Sequence, residues 1–324
     1  MGIRTLLRET LGGVLDHHDP QASLSSKGPD LPEGAIEVLH PHNPRLLELQ
    51  RRYAGCPPQV INPLSWTETY VQPEHLVQFR GDNPYVWQLR GPNMTTLGYA
   101  LTTYYVKSLD TIRLLDRLEE DGQFGSVTLK VDHKRVSRDL LDSILEMYFL
   151  EKHLHISTAK DLTIVDIGAG YGRLGHRMVQ GFPNIRHYLC TDAVPVSTFL
   201  SEYYLRFRQV EEKARVVPLD EIAHRLETYP VTLAVNIHSF SECRIAAIEW
   251  WISLLAKSCV PFLMIVPNAL NHGGERLTTG DGHDFGGLLE RYGYHQIAKD
   301  PKFRDPVVQE YGISPTFHHL FALR

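Results

Sequence analysis

The chain has 324 residues, with 33 lysines and arginines against 38 aspartates and glutamates, for a formal net charge of −5. That length has room for one large α/β domain plus an N-terminal addition. The acidic balance argues against a nucleic-acid partner, and the longest apolar run, 260–266, falls far short of the ~20 residues that a membrane span needs.

Residues 1–19 scatter Arg4, Arg8, Glu9 and Asp16 among leucines, which is not the pattern of a secretory signal. Gly2 also lacks the Ser or Thr at position 6 that myristoylation uses. The cysteines, Cys56, Cys190, Cys243 and Cys259, have no metal-ligand spacing and read as reduced, so a cytoplasmic setting is expected. Residues 19–34, with Pro20, Pro29 and Pro32 among serines and glycines, read as a linker. From 66 to 107, aromatic residues such as Trp66, Tyr85 and Trp87 alternate with Arg80, Asp82, Asn83 and Arg90. Flat rings beside planar polar groups suit a lid or substrate wall, with Trp87 and Arg90 as substrate contacts. The equally weighted alternative is a subdomain whose aromatics are core. Leu140, Leu141, Ile144, Leu145 and Tyr148 predict an amphipathic helix over 137–150. The expected division is an N-terminal, mainly helical, aromatic-rich region over 1–135 and a cofactor-binding domain over 136–324.

The most informative stretch is Ile164-Val165-Asp166-Ile167-Gly168-Ala169-Gly170-Tyr171-Gly172-Arg173. An apolar strand, an acidic residue, a glycine turn and a helix-compatible segment form the layout of a nucleotide-type site at a strand's carboxyl end. The glycines follow G-x-G-x-G rather than the dinucleotide spacing G-x-G-x-x-G, which favours S-adenosylmethionine over NAD. Asp166 is then placed to hold the ammonium of an amino-acid tail, and Gly168, Ala169, Gly170, Tyr171 and Gly172 to line the cofactor. A second apolar strand, 187–192, ends in Asp192, which lies 24 residues after Gly168. The acidic residue that holds ribose hydroxyls is expected about 20 residues on. Asp192 also suits a helix start before Pro195.

Alternation continues downstream. Strands are predicted near 215–219, 231–237 and 261–266, with helices near 220–227 and from 245 onward. Phe199, Leu200, Tyr203, Tyr204 and Phe207 mark a helix packed on the sheet. After an irregular stretch, 267–284, come a helix near 285–292 and two strands near 294–298 and 316–323, joined without a helix as an antiparallel edge pair. His318 and His319 alternate across the last strand, so one is expected inside and one outside. The pattern predicts a doubly wound, Rossmann-like α/β sheet, mostly parallel with an antiparallel edge strand.

Three segments together, Val165–Arg173, Asn236-Ile237-His238-Ser239-Phe240-Ser241-Glu242 and Val136–Ser143, resemble the bacterial sugar O-methyltransferase family over roughly Trp66 to the C-terminus. The resemblance implies a class I methyltransferase fold, S-adenosylmethionine as cofactor, and methyl transfer to a hydroxyl, plausibly of a sugar or glycoside. A hydroxyl is a poor nucleophile when protonated, so a general base or a metal is expected beside the methyl group. His238, directly after the fourth strand of the sheet, leads the candidates, because a neutral imidazole accepts a proton near pH 7. Glu242 and His283 follow. Glu242 also completes a Ser239-x-x-Glu242 capping box, which by itself explains both residues. Asn236 is placed for the cofactor tail or the substrate, and His272 and Asp284 for the substrate. Asp281 and Asp284 offer oxygen ligands for Mg²⁺, should the site use one. Two other readings stand beside this one: a nucleotide-dependent oxidoreductase, and a methyltransferase-like binding protein without catalysis.

Overall fold

The computed structural model describes residues 31–66, 76–81 and 95–324. Tyr85, Trp87 and Arg90, with most of the aromatic segment's polar residues, lie outside the described residues.

A two-stranded hairpin, β1 (Thr128–Val131) and β2 (Lys134–Ser137), precedes the main sheet. Its turn places Asp132 and His133 at φ 46° and 67°, the left-handed pair that matches strand twist. The helix Arg138–Leu154 follows, and Ser137 caps it by accepting from the Leu140 amide at 3.1 Å. Leu140, Leu141, Ile144 and Leu150 are buried on its inward stripe, each worth roughly 1.5–3 kcal/mol of burial.

The main sheet contains β3 (Leu162–Ile167), β4 (Ile185–Thr191), β5 (Ala214–Val216), β6 (Leu233–Ile237), β7 (Phe262–Val266), β8 (Tyr294–Pro301) and β9 (Phe317–Leu323). Their order is β5-β4-β3-β6-β7-β9-β8, parallel except that β9 runs antiparallel to both of its neighbours. This is the doubly wound, Rossmann-like sheet expected from the alternation. Every residue of β3 is buried, because helices cover both faces of a central parallel strand and erase the usual alternation. The helix Pro195–Phe207 buries Phe199, Leu200 and Tyr204, and the helix Ile245–Lys257 buries Ile248, Ile252 and Leu255. No helix among the described residues is long and apolar enough to cross a membrane.

Two expectations about the closing strands change. A short helix, Pro306–Tyr311, separates β8 from β9. His318 and His319 are both buried, because both faces of β9 are covered: His318 packs on Phe149 of the helix Arg138–Leu154, and His319 bonds the Gly274 carbonyl of the 267–284 loop at 3.2 Å.

The described N-terminal elements are mainly helical, and they join the same hydrophobic core as the sheet. The helix Pro44–Tyr53 buries Leu46, Leu49 and Tyr53. Its Tyr53 hydroxyl bonds Thr198 at 2.7 Å, and its Arg45 pairs with Glu202 at 2.6 Å. In the short segment 76–81, the ring of Phe79 stacks on Phe124, with centroids 4.8 Å apart, and tilts against Tyr171 at 5.1 Å. Arg80 is fully buried between Glu120 and Asp139, each 2.7 Å away. Phe79 and Tyr99 are therefore core residues rather than part of a substrate wall. Of the described aromatics in that region, Trp66 is the one that reaches the cleft described next.

Candidate active site

The strand order reverses between β3 and β6, the place where a crevice forms at the carboxyl ends of a doubly wound sheet. An open cleft lies over these strand ends. One wall is the turn after β3. The Gly168 and Ala169 amides both donate to the Thr191 carbonyl, at 2.9 and 3.0 Å. Gly168 has φ +74°, and a Cβ there would lie 2.1 Å from the Ser239 hydroxyl. Any side chain would therefore push the turn after β6 away from the turn after β3.

Asp192 ties this turn to the end of β4. Its carboxylate accepts from the Gly170 amide at 2.9 Å and from the Val194 amide at 2.8 Å. Burial pushes its pKa up to about 6, although those amides pull the other way. Asp166 is 2% exposed and accepts from the Tyr188 hydroxyl at 2.9 Å. Burial raises its pKa to about 7, while Tyr188 and Arg173 pull it down. Both carboxylates line the cleft, together with Gly168, Ala169 and Gly170.

His238, directly after β6, lines the same cleft. Its amide donates to the Val266 carbonyl at 2.6 Å, and its backbone sits at φ 68°, ψ −30°. That conformation is costly for a residue with a Cβ and persists only where its surroundings impose it. Nδ1 lies 3.2 Å from the Pro267 carbonyl. A carbonyl only accepts, so Nδ1 carries the proton and Nε2 the basic lone pair. Burial, then the charge of Lys302, holds the imidazole pKa well below 6.5. The ring is therefore neutral at pH 7, but it is a weaker base than the unshifted imidazole expected from the sequence.

The capping box does not form. Ser239 donates to the Ile167 carbonyl at 3.2 Å and accepts from Asn236 at 2.5 Å. The helix beginning at Ile245 has no side-chain cap. Glu242 instead accepts from the Trp66 indole at 2.5 Å and the Asn268 amide at 3.3 Å, while its carbonyl accepts from the Leu64 amide at 2.8 Å. These contacts place Trp66 and Glu242 together on the cleft wall.

Several expected site residues are not brought to the cleft. Tyr171 is 1% exposed, with its hydroxyl on Asp139 at 2.7 Å, because the N-terminal segment packs over that side of the turn. Gly172 caps the helix Arg173–Gly181 at φ 86°. Asn236 is fully buried, and its amide is used up on the Ile167 carbonyl at 2.9 Å, the Ser239 hydroxyl and the Phe240 amide at 3.0 Å. It clamps two strand ends and contacts no ligand space. His283, Asp281 and Asp284 are exposed on the 267–284 loop. Asp281 there accepts from Thr279, and Asp284 from the Gly286 amide. His272 turns onto Thr278 at 2.8 Å. Among the described residues, no three His, Cys, Asp or Glu side chains gather to hold a metal.

The structure also adds residues. Arg173, Val194, Ser197, Cys243 and Trp251 line the cleft. Arg173 alone had a local signal, since it closes the glycine motif as a long cation at a helix start.

No protein-family model matches the chain, and no curated protein matches it. Solved structures with a similar chain path include an S-adenosylmethionine-dependent methyltransferase from Aquifex aeolicus, at 15% identity over 54% of this chain and 89% of that one, TM-score 0.41. Magnesium protoporphyrin IX methyltransferase from Synechocystis PCC 6803, with bound cofactor, aligns at 11% identity over 69% and 97%, TM-score 0.41. A Streptococcus pneumoniae protein described as a candidate tRNA (m1A22) methyltransferase aligns at 15% identity over 55% and 70%, TM-score 0.38. Likenesses this distant carry no weight for substrate or reaction.

Proposed function

We propose that the chain is an S-adenosylmethionine-dependent methyltransferase acting on a hydroxyl of a sugar or glycosylated metabolite. Residues 136–324 are its catalytic unit in this reading, and the N-terminal region adds a wall through Pro63 and Trp66. One observation carries the proposal: Asp166, Asp192, Gly168, Gly170 and His238 line a single cleft.

The donor set fits the cofactor. Asp192 is a buried carboxylate open to a cleft, which suits the vicinal hydroxyls of a ribose. Asp166 meets the needs of an ammonium group, and the glycines let the backbone come close to the ligand between them. S-adenosylmethionine, when bound, supplies a methyl group on a cationic sulfur that leaves as a neutral thioether. The protein's remaining tasks are to place the acceptor oxygen and remove its proton. His238 Nε2 takes that proton in this reading, its lone pair fixed by the Nδ1 contact to Pro267. A low imidazole pKa keeps that lone pair available across the neutral range. The sugar acceptor rests on the resemblance of the Asn236–Glu242 segment, and the four free cysteines fit the cytoplasmic setting expected for such an enzyme.

Calorimetry with S-adenosylhomocysteine and NAD, followed by a screen of sugars, nucleotide sugars and glycosides for methylated product, tests the reading. Binding of S-adenosylhomocysteine but not NAD, with at least one methylated acceptor, is expected. NAD binding alone would point to the oxidoreductase. Cofactor binding without turnover on any acceptor would favour the non-catalytic protein.

A further inference from the structure

Arg173 is the first residue of the helix Arg173–Gly181, is 5% exposed, and lines the cleft. A guanidinium carries five N–H donors in a rigid fork. Nη1 spends its two on the Ser143 hydroxyl at 2.7 Å and Glu146 Oε2 at 2.9 Å, and Nη2 spends one on Glu146 Oε1 at 3.1 Å. Ser143 gives its own hydrogen to the Asp139 carbonyl at 2.7 Å, so its lone pair is what faces the arginine. The guanidinium is thus fixed in one orientation by the helix Arg138–Leu154 before any ligand arrives.

Two donors remain, Nε–H and the second hydrogen of Nη2. They project side by side along the edge of the guanidinium not used by Glu146, the geometry that grips a carboxylate with two parallel bonds. Among the described residues neither has an acceptor. A buried fork with a free edge sits at the margin of a cleft that also holds Asp166. One cleft therefore offers a fixed anion-binding edge and a carboxylate that seeks a cation, the pair of groups that an α-amino acid requires.

We propose that Arg173 is the carboxylate anchor of the cofactor site, gripping the α-carboxylate of the homocysteine tail through its free edge while Asp166 takes the α-ammonium. The assignment rests on the methyl-donor reading above and extends it to a residue that ordinary glycine-turn logic leaves out. It also makes the Glu146–Arg173 pair a positioning device, since Glu146 sets which edge of the guanidinium stays free.

The test compares S-adenosylhomocysteine with its decarboxylated analogue, S-adenosyl-3-thiopropylamine, by calorimetry on the wild-type protein and on Arg173→Lys. Because truncating the arginine strands Glu146 in the interior, the double variant Arg173→Gln/Glu146→Gln is measured alongside. The wild type should prefer the carboxylate-bearing ligand by about 10- to 100-fold, the range of two charge-assisted hydrogen bonds. In both variants that preference should shrink to within about threefold, with the decarboxylated ligand bound as before. A wild-type preference near unity overturns the proposal without any variant. So does a preference that survives in a folded variant. If the wild type binds neither ligand, the methyl-donor reading itself fails, and the anchor with it.

Discussion

The two walls of the cleft are built in different ways. On the cofactor side, Asp166 and Asp192 end adjacent parallel strands, and backbone amides of the turn fix Asp192 in place. Nearly everything there follows from residues close in sequence or in register across β3 and β4. At the end of β6, His238 sits on a strained backbone against a carbonyl from the neighbouring strand end, and burial with the charge of Lys302, distant in sequence, lowers its pKa. The first wall can be written as a short motif, while the second depends on the whole fold. Ligand binding should therefore answer to changes on the first wall and turnover to changes on the second.

Replacing His238 by alanine is the sharpest way to break that division. Turnover should fall by roughly 10²-fold or more if the imidazole removes the acceptor proton. Affinity for S-adenosylhomocysteine, measured by calorimetry, should stay within about threefold, since the amides of Gly170 and Val194 and the carboxylate of Asp192 hold the glycine turn without the imidazole. A variant that loses binding and turnover together would make His238 part of the cofactor wall.

Asp192→Asn probes the other side. The amide retains one acceptor oxygen but loses the charge and half of the bonding to Gly170 and Val194. Cofactor affinity should drop by about 10-fold or more, as for a lost charged hydrogen bond, while the turnover of the saturated enzyme changes little. Unaltered affinity would leave Asp192 as a purely structural tie between the turn and β4.

This contrast also governs what the sequence discloses. The spacing of Asp166, Gly168, Gly170 and Asp192 is legible because strand register places all four on one edge. The strand–helix alternation is legible for the same reason of local periodicity. Asn236 and Tyr171 sit away from the cleft because partners from other parts of the chain, Ile167 in one case and Phe79 with Asp139 in the other, hold them. The box Ser239-x-x-Glu242 fails because Asn236 claims the serine and Trp66 the glutamate, so no spacing within the motif reveals it. The β1–β2 turn carries Asp132-His133 where Asn-Gly or Asp-Gly would have announced a hairpin. Arg173 finds Glu146 at a separation of 27 residues, which only the packing of two helices explains.

The pH dependence should split along the same line. Asp166 is surrounded by Tyr188, Arg173, Glu146 and Asp192, and its pKa of about 7 means that the empty site is increasingly protonated below neutrality. An ammonium ligand binds the ionised form, so affinity should weaken toward tenfold per unit as pH falls below about 7. His238, with its pKa well below 6.5, should keep the turnover of the saturated enzyme flat from pH 8 to about 6. The same shift has a stability sign. A carboxyl whose folded pKa lies above its unfolded value of 3.8 favours the native state at low pH, and that contribution is lost as pH rises through about 7. Asp166→Asn should accordingly raise Tm at pH 8 while impairing cofactor binding. An unchanged Tm there would mean that burial does not raise the Asp166 pKa in the empty protein.

The smallest expected effect lies on the 267–284 loop, and it decides how far the catalytic wall extends. Asp281 is exposed and bonded to Thr279, while Asp284 caps the following turn at the Gly286 amide. Neither lines the cleft. Asp281→Asn and Asp284→Asn should therefore leave kcat/KM within about twofold, as exposed substitutions away from a site usually do. Adding a chelator to the wild type should change it no more. A large loss in either variant, rescued by added Mg²⁺, would move the catalytic wall from β6 to this loop, and His238 would then hold the acceptor rather than deprotonate it.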